Sequence, residues 1–252
     1  MRLTVVGCSG SYAGPDSPAS CYLVEADDAG GRPWRILLDL GNGSIGALHN
    51  YTDPLTIDAV AISHLHPDHC LDLCGYYVMR KYHPSGPQPR LPVYGPGGTS
   101  ERMTRAYDLP DGLGMSGEFD FLRYDGPVTI GPFTLEAVAV VHPVEAYGLR
   151  VTADGATLAY TGDTAPCDAL LRLADGADLL LAEASFRAVD DNPPEVHLTG
   201  EDAGRLASSA GAKKLVITHV PPWFDKQDML AEAQSVWDGP SELARAGAVH
   251  EV

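Results

Sequence analysis

His64-Leu65-His66-Pro67-Asp68-His69 sets three imidazoles and a carboxylate within six residues, directly after the apolar run Ile57-Asp58-Ala59-Val60-Ala61-Ile62. Side chains of these types crowd and desolvate one another unless a cation joins them, and imidazole with carboxylate is a donor set for a divalent transition metal. On an extended segment His64 and His66 point the same way, whereas Asp68 and His69 fall where the chain turns into a stretch of helical period over residues 71–82. Two pairs aimed differently predict two metal ions.

Strands are expected on either side of this stretch at 2–6, 20–25, 34–40, 57–62, 91–94, 119–124, 128–130, 133–141, 147–151, 157–160, 178–182, 214–218 and 248–252. Helices are expected at 44–51, 71–82, 99–108, 166–174, 200–210 and 226–237, and 110–117 reads as a glycine-rich loop able to cover a site. Residues of metal-binding type recur immediately after strands, at 64–69, His142, Asp163 and His219, so one sheet edge can gather them. The small-residue loop Gly7-Cys8-Ser9-Gly10-Ser11, which continues to Ser20, can bring backbone N–H groups to a phosphate.

A chain of 252 residues with 44% hydrophobic content supports one core, and a single domain over 1–252 is expected. A formal charge of −17 favours solubility and repels polyanions, which disfavours long nucleic acids as partners. No apolar run is long enough to span a membrane and no secretory leader is legible, so a cytoplasmic location is expected. Cys8, Cys21, Cys70, Cys74 and Cys167 are odd in number and match no zinc-knuckle spacing, which reads as reduced thiols. Cys70 and Cys74, beside the histidines, read as buried small hydrophobes.

His64-x-His66-x-Asp68-His69, the later His142, Asp163 within Tyr160-Thr161-Gly162-Asp163-Thr164, and His219 within Ile217-Thr218-His219 together resemble the ligand set of the metallo-β-lactamase superfamily over nearly the whole chain. The resemblance implies an α/β fold, a four-layer αββα sandwich. It further implies one metal on His64, His66 and His142, a second on Asp68, His69 and His219, and Asp163 as the bridge. Zinc is the expected ion, with manganese or iron as alternatives. Leu181-Ala182-Glu183-Ala184-Ser185-Phe186 followed by His197-Leu198-Thr199-Gly200 resembles the signature of ribonuclease Z and related phosphodiesterases, which implies proton transfer by His197. Glu183 is the residue expected to orient His197 or to support a metal-bound histidine.

The chain departs from ribonuclease Z in two places. Residues 143–162 hold a compact hairpin where transfer-RNA-processing enzymes commonly insert a basic, glycine-rich arm, and Pro15-Asp16-Ser17-Pro18-Ala19-Ser20 carries no cation. Val6-Gly7-Cys8-Ser9-Gly10-Ser11, Arg80-Lys81-Tyr82-His83-Pro84 and Thr218-His219-Val220-Pro221-Pro222-Trp223 are similar to actinobacterial proteins assigned as atypical class II cyclic-nucleotide phosphodiesterases. That similarity implies hydrolysis of 3′,5′-cyclic AMP to 5′-AMP, with cyclic GMP as a second candidate, through attack of a hydroxide shared by two cations that Asp68 orients. Ser9, Ser20, His83 and Trp223 are the candidate substrate contacts, and relatives extend a homodimer to this chain as an expectation. The rival readings are an endoribonuclease acting on transfer RNA precursors and a metal-binding scaffold or ligand sensor without turnover.

Overall fold

The computed structural model describes residues 1–110 and 113–252. Strand β1 (Arg2–Gly7) pairs antiparallel with β2 (Cys21–Asp27), which forms a hairpin with β3 (Pro33–Leu38). After helix α1 (Ser44–Leu48), β4 (Ala59–Ala61) lies parallel to β3, and helices α2 (Pro67–Cys70) and α3 (Leu73–Tyr82) carry the chain away. Strand β5 (Leu91–Gly95), helix α4 (Thr99–Ala106) and strand β6 (Phe119–Arg123) extend the parallel run. Strands β7 (Val128–Ile130), β8 (Phe133–Ala139), β9 (Tyr147–Ala153) and β10 (Ala156–Tyr160) form an antiparallel meander. Helix α5 (Ala169–Ala174), strand β11 (Leu179–Glu183), helix α6 (Gly200–Ala210), strand β12 (Leu215–Thr218), helix α7 (Lys226–Val236) and strand β13 (Ser241–Leu243) continue that sheet through parallel pairs. The last strand, β14 (Val249–Glu251), returns to β1.

Two sheets result, β14-β1-β2-β3-β4-β5-β6 and β13-β12-β11-β10-β9-β8-β7. Central strands such as β11 and β12 are buried along their whole length and read as continuous apolar runs, because each is covered on both faces. One core lies between the sheets, where Val5, Tyr22, Ile36 and Leu38 meet Phe133, Val151, Leu158, Tyr160 and Leu181. A second joins Val60, Ile62, Leu73, Tyr76 and Met103 on the outer side of the first sheet, and a third joins Leu180, Ile217, Leu206 and Met229 on the outer side of the other. Helix, sheet, sheet and helix are thus stacked as the resemblance implied. Ligands at the carboxyl ends of parallel strands are the general rule for such sheets.

Several local expectations need correction. The cluster's Asp68 and His69 sit on a separate short helix, α2, which Pro67 starts at its first turn, and α3 begins only at Leu73. The strand expected over 57–62 contracts to Ala59–Ala61, because Asp53 caps a 3-10 turn over Pro54–Thr56. Strand β13 is too short and irregular to show a period, and parallel pairing with β12 creates it. Of the stretch expected to cover a site, residues 111 and 112 lie outside the described residues, and Met115 packs in the core with Met103 and Phe119. Tyr76 and Tyr77 are buried, whereas Tyr82 is exposed.

Helix α6 is positioned by a capping box: the Thr199 hydroxyl accepts from the Asp202 N–H while the Asp202 carboxylate accepts from the Thr199 N–H. Such a cap is worth about 1 kcal/mol. It fixes the chain two residues after His197. Gly200 lets α6 approach α7, since a Cβ there would stand 2.1 Å from the Met229 carbonyl oxygen.

Candidate metal centre

The residues named from the sequence converge on the edge where the parallel strands end. His64, His69, Asp163 and His219 are almost wholly buried, Asp68 is buried, and His66 and His142 are half-buried. Three groups form, His64 with His66 and His142, Asp68 with His69, Asp163 and His219, and, sharing His219 with the second, Glu183 with His197. Asp163 stands between the first two: Oδ2 is 3.7 Å from His64 Nε2, and Oδ1 is 3.2 Å from His69 Nε2. Asp68 Oδ2 lies 3.1 Å from His219 Nε2.

Hydrogen bonds on the far side of each ring decide which nitrogen carries a lone pair. His142 Nδ1 donates to the Val196 carbonyl at 2.9 Å, and His69 Nδ1 donates to Asp39 Oδ2 at 2.7 Å. The Ser185 hydroxyl gives its hydrogen to the His219 carbonyl, so it accepts from His219 Nδ1 at 2.8 Å. In the same way the Ser63 hydroxyl donates to Asp39 Oδ2 and accepts from His64 Nδ1 at 3.1 Å. The Nε2 lone pairs of all four rings are therefore turned inward. His69 Nε2 and His219 Nε2 face each other at 3.1 Å, while His64 Nε2 and His142 Nε2 converge on His66 Nδ1 at 3.0 and 3.2 Å. Asp163 Oδ1 is buried with no hydrogen-bond partner. Converging lone pairs around an orphaned carboxylate oxygen fit divalent cations.

Electrostatics agree with that fit. Burial resists ionisation of Asp163, but His219 and His69 outweigh it and hold its pKa well below the carboxylate range. Burial likewise resists the charge on His69, yet Asp163 and Asp39 raise its pKa well above that of free imidazole. His64 is pushed well below its ordinary value, first by burial and then by His69. In the absence of a cation this shift favours a second proton on His69, at the Nε2 that a metal would take, so metal uptake should release protons.

Glu183 is fully buried at the end of β11, accepting from the Thr164 and Ser185 N–H groups at 2.9 and 3.1 Å. Its Oε1 also pairs with His197 Nδ1 at 2.9 Å, and His197 Nδ1 lies 4.0 Å from Asp163 Oδ2. Burial disfavours the imidazolium, but Glu183 outweighs it and pushes the His197 pKa up to about 9. A protonated ring thus borders the cluster at neutral pH.

The substrate candidates are less tightly gathered. Ser9 is buried, with its backbone bridged to Ala19 and Val220, and it lines a cavity of about 520 Å³ that also meets Gly14, Phe224 and Lys226. Ser20 is buried with its hydroxyl unpartnered. Trp223 is exposed, and its ring centroid is 5.6 Å from that of Tyr12. His83 is not brought to the cluster: it follows the far end of α3, and its Nδ1 bonds the Ser85 hydroxyl.

The sequence reading missed the supports. Asp39 is buried in a left-handed conformation (φ 59°), where it holds the Ser63 N–H at 2.7 Å and the Tyr160 hydroxyl at 2.8 Å besides His69. Its place at a strand end was the available signal. Asp39→Ala should lower metal affinity about 10- to 100-fold without unfolding the chain, the usual cost of losing a partner that orients a ligating histidine. Competition with a chromogenic chelator measures it, and unchanged affinity would remove Asp39 from the centre.

A family model described as "Beta-lactamase superfamily domain" matches residues 34–220, and the chain belongs to this superfamily. An uncharacterised protein of Mycobacterium tuberculosis is 44% identical over 245 residues, covering 95% of this chain and 88% of its own length. The probable metallo-hydrolase YhfI of Bacillus subtilis is 30% identical across the full length of both chains. Its crystal structure, described as a metallo-β-lactamase fold protein, superposes with a TM-score of 0.86 over 99% of each chain. The short form of human tRNase Z shares the fold at a TM-score of 0.78, with 22% identity and coverage of 100% of this chain and 99% of that one. The chain is a metallo-hydrolase of the β-lactamase superfamily.

Proposed function

We propose that the protein hydrolyses a small cyclic phosphodiester, 3′,5′-cyclic AMP, to the 5′-monophosphate. The observation that carries this reading is the His197–Glu183 pair at the border of the metal cluster. An alkoxide leaving from phosphorus is a strong base and needs a proton, and His197 Nε2 is the free nitrogen of a ring whose Nδ1 is held by Glu183. Two divalent cations, with zinc expected, would supply an acidified water at neutral pH and counter-charge for the phosphate oxygens. His64, His66 and His142 would hold one, Asp68, His69 and His219 the other, with Asp163 between. Asp68, at the more open side of its group, orients the attacking water by accepting its hydrogen.

Small substrates are favoured over transfer RNA by two features of the chain. Strands β9 and β10 join through a tight turn at Asp154-Gly155, which leaves no arm to grip a polyanion, and the net charge is −17. Tyr12 and Trp223 flank the two segments that meet at His219: the Ser11 N–H reaches His219 Nε2 at 3.4 Å, and Trp223 follows four residues after it. Their exposed faces suit a planar base. The reading assigns the protein a small-molecule substrate and a cytoplasmic place of work; no helix among the described residues is long and apolar enough to cross a membrane.

The test is a side-by-side assay of metal-loaded protein on cyclic AMP, cyclic GMP, a precursor transfer RNA and an aryl phosphodiester. Cyclic AMP should yield 5′-AMP, and the RNA should stay largely intact. Site-specific RNA cleavage with cyclic AMP untouched would reverse the assignment. Failure on all four would favour a scaffold without turnover.

A further inference from the structure

At the end of the first sheet opposite the metal centre, a cleft of about 520 Å³ opens beside Pro33 and Arg35 at the start of β3, Ile57 and Asp58 ahead of β4, and Leu91 at the start of β5. Asp39 and His64 follow the other ends of β3 and β4, so these strands separate the cleft from the metals. Its size is that of a pocket for a small organic molecule.

Four arginines line it, Arg32, Arg35, Arg80 and Arg90, in a chain with 17 basic and 34 acidic residues. Asp58 is the one carboxylate among the described lining residues. Arg32 pairs with Asp58, Arg35 with Glu25 at 3.1 Å, and Arg90 with Asp120 at 2.8 Å in an exposed bridge that solvent or a ligand can exchange. Arg80 differs from these. It is only 4% exposed, and no carboxylate among the described residues pairs with it. Its guanidinium donates to the Pro89 carbonyl and lies 5.4 Å from the Tyr76 ring, while Nε is buried without a partner.

A buried cation without a counter-charge is unfavourable, and an aliphatic side chain would fill the same space at less cost. An anion in the cleft would supply the missing counter-charge. The planar guanidinium fork matches the oxygens of a phosphate, and several forks around one cleft match a group with more oxygens than a single carboxylate offers. Leu55, Leu91 and Pro33 leave apolar wall for an organic body. We propose that this cleft binds a small organic phosphate of at least two negative charges, at a site independent of the metal centre.

Trp34 provides a local reporter, because the Arg32 guanidinium stacks 3.8 Å from its ring centroid. Metal-loaded protein would be titrated with fructose 1,6-bisphosphate while tryptophan emission is followed, with fructose as the uncharged control. A saturable change is expected with the bisphosphate alone. It should vanish in Trp34→Phe, and the affinity should fall at least about tenfold in Arg80→Met and in Arg90→Ala, with metal content and hydrolytic activity unchanged. Arg90→Ala alters an exposed side chain, so it decides the matter even where Arg80→Met folds poorly. No saturable response at millimolar probe would overturn the proposal. So would equal affinity in Arg90→Ala and wild type, or a response that survives Trp34→Phe, since either would place the anion elsewhere, the metal centre included.

Discussion

His197→Ala is expected to lose about 10²- to 10⁴-fold in turnover of cyclic AMP, the range for removing a general acid, while keeping its metals and near-normal substrate affinity. The ring borders the metal cluster but is not one of its bridging groups; its Nδ1 is occupied by Glu183 at 2.9 Å. The deficit should shrink with a nitrophenyl phosphodiester, whose leaving group departs without a proton. Because Glu183 raises the His197 pKa above that of free imidazole, a general acid there would be protonated near neutral pH and lost as pH rises through the raised value. The wild-type rate on cyclic AMP should therefore fall on the alkaline side, and the nitrophenyl substrate should show less of that limb. Equal deficits on both substrates, or loss of a metal from the variant, would show that His197 serves the phosphate or the metal site.

The Glu183 partnership gives a related, smaller expectation. Glu183→Gln keeps the shape but removes the charge that sustains the imidazolium, so the alkaline limb should move to lower pH. A ring left merely misoriented would lose rate at every pH. The same carboxylate also holds two backbone N–H groups, at Thr164 and Ser185, which ties His197 to the loops carrying Asp163 and leading to His219.

The convergence of the metal-binding residue types was legible because four such side chains within six residues leave few alternatives, and because His142, Asp163 and His219 each follow a strand. Asp39 stayed hidden for a physical reason. An aspartate near the end of an expected strand, outside any motif of ligand type, carries no partner in the sequence, and only folding brings it to His69, thirty residues on, and to Tyr160 from the other sheet. His83 shows the opposite error. It belongs to a motif that resembles the cyclic-nucleotide phosphodiesterases, but the length of α3 carries it away from the cluster. The arginine cleft has no signal in sequence, since its walls come from the starts of three strands and a helix. In the fold, long apolar strands and capped helices could be read, whereas the three-residue β13 exists through pairing alone.

Asp163→Ala should deplete both metals and lower turnover by more than about 10⁴-fold, beyond the 10²- to 10³-fold that loss of one electrostatic contact costs. No other side chain among the described residues offers one oxygen to each group, with Oδ2 toward His64 and Oδ1 toward His69 and His219. Without it, the inward nitrogens of the histidines face one another with no anion between the groups, and each group loses the carboxylate it shares with the other. Asp163→Asn separates charge from packing, because it keeps the volume and should lose the metals equally. Elemental analysis should find close to two ions per chain in the wild type and few in either variant. Thermal unfolding supplies an independent reading: ligands that bind only the folded state stabilise it by mass action. Chelator should therefore lower the midpoint of the wild type and leave both variants unmoved. A variant that kept two ions would take Asp163 out of the bridge. A wild type with one ion or none, in a well-folded preparation, would count against the dinuclear centre itself.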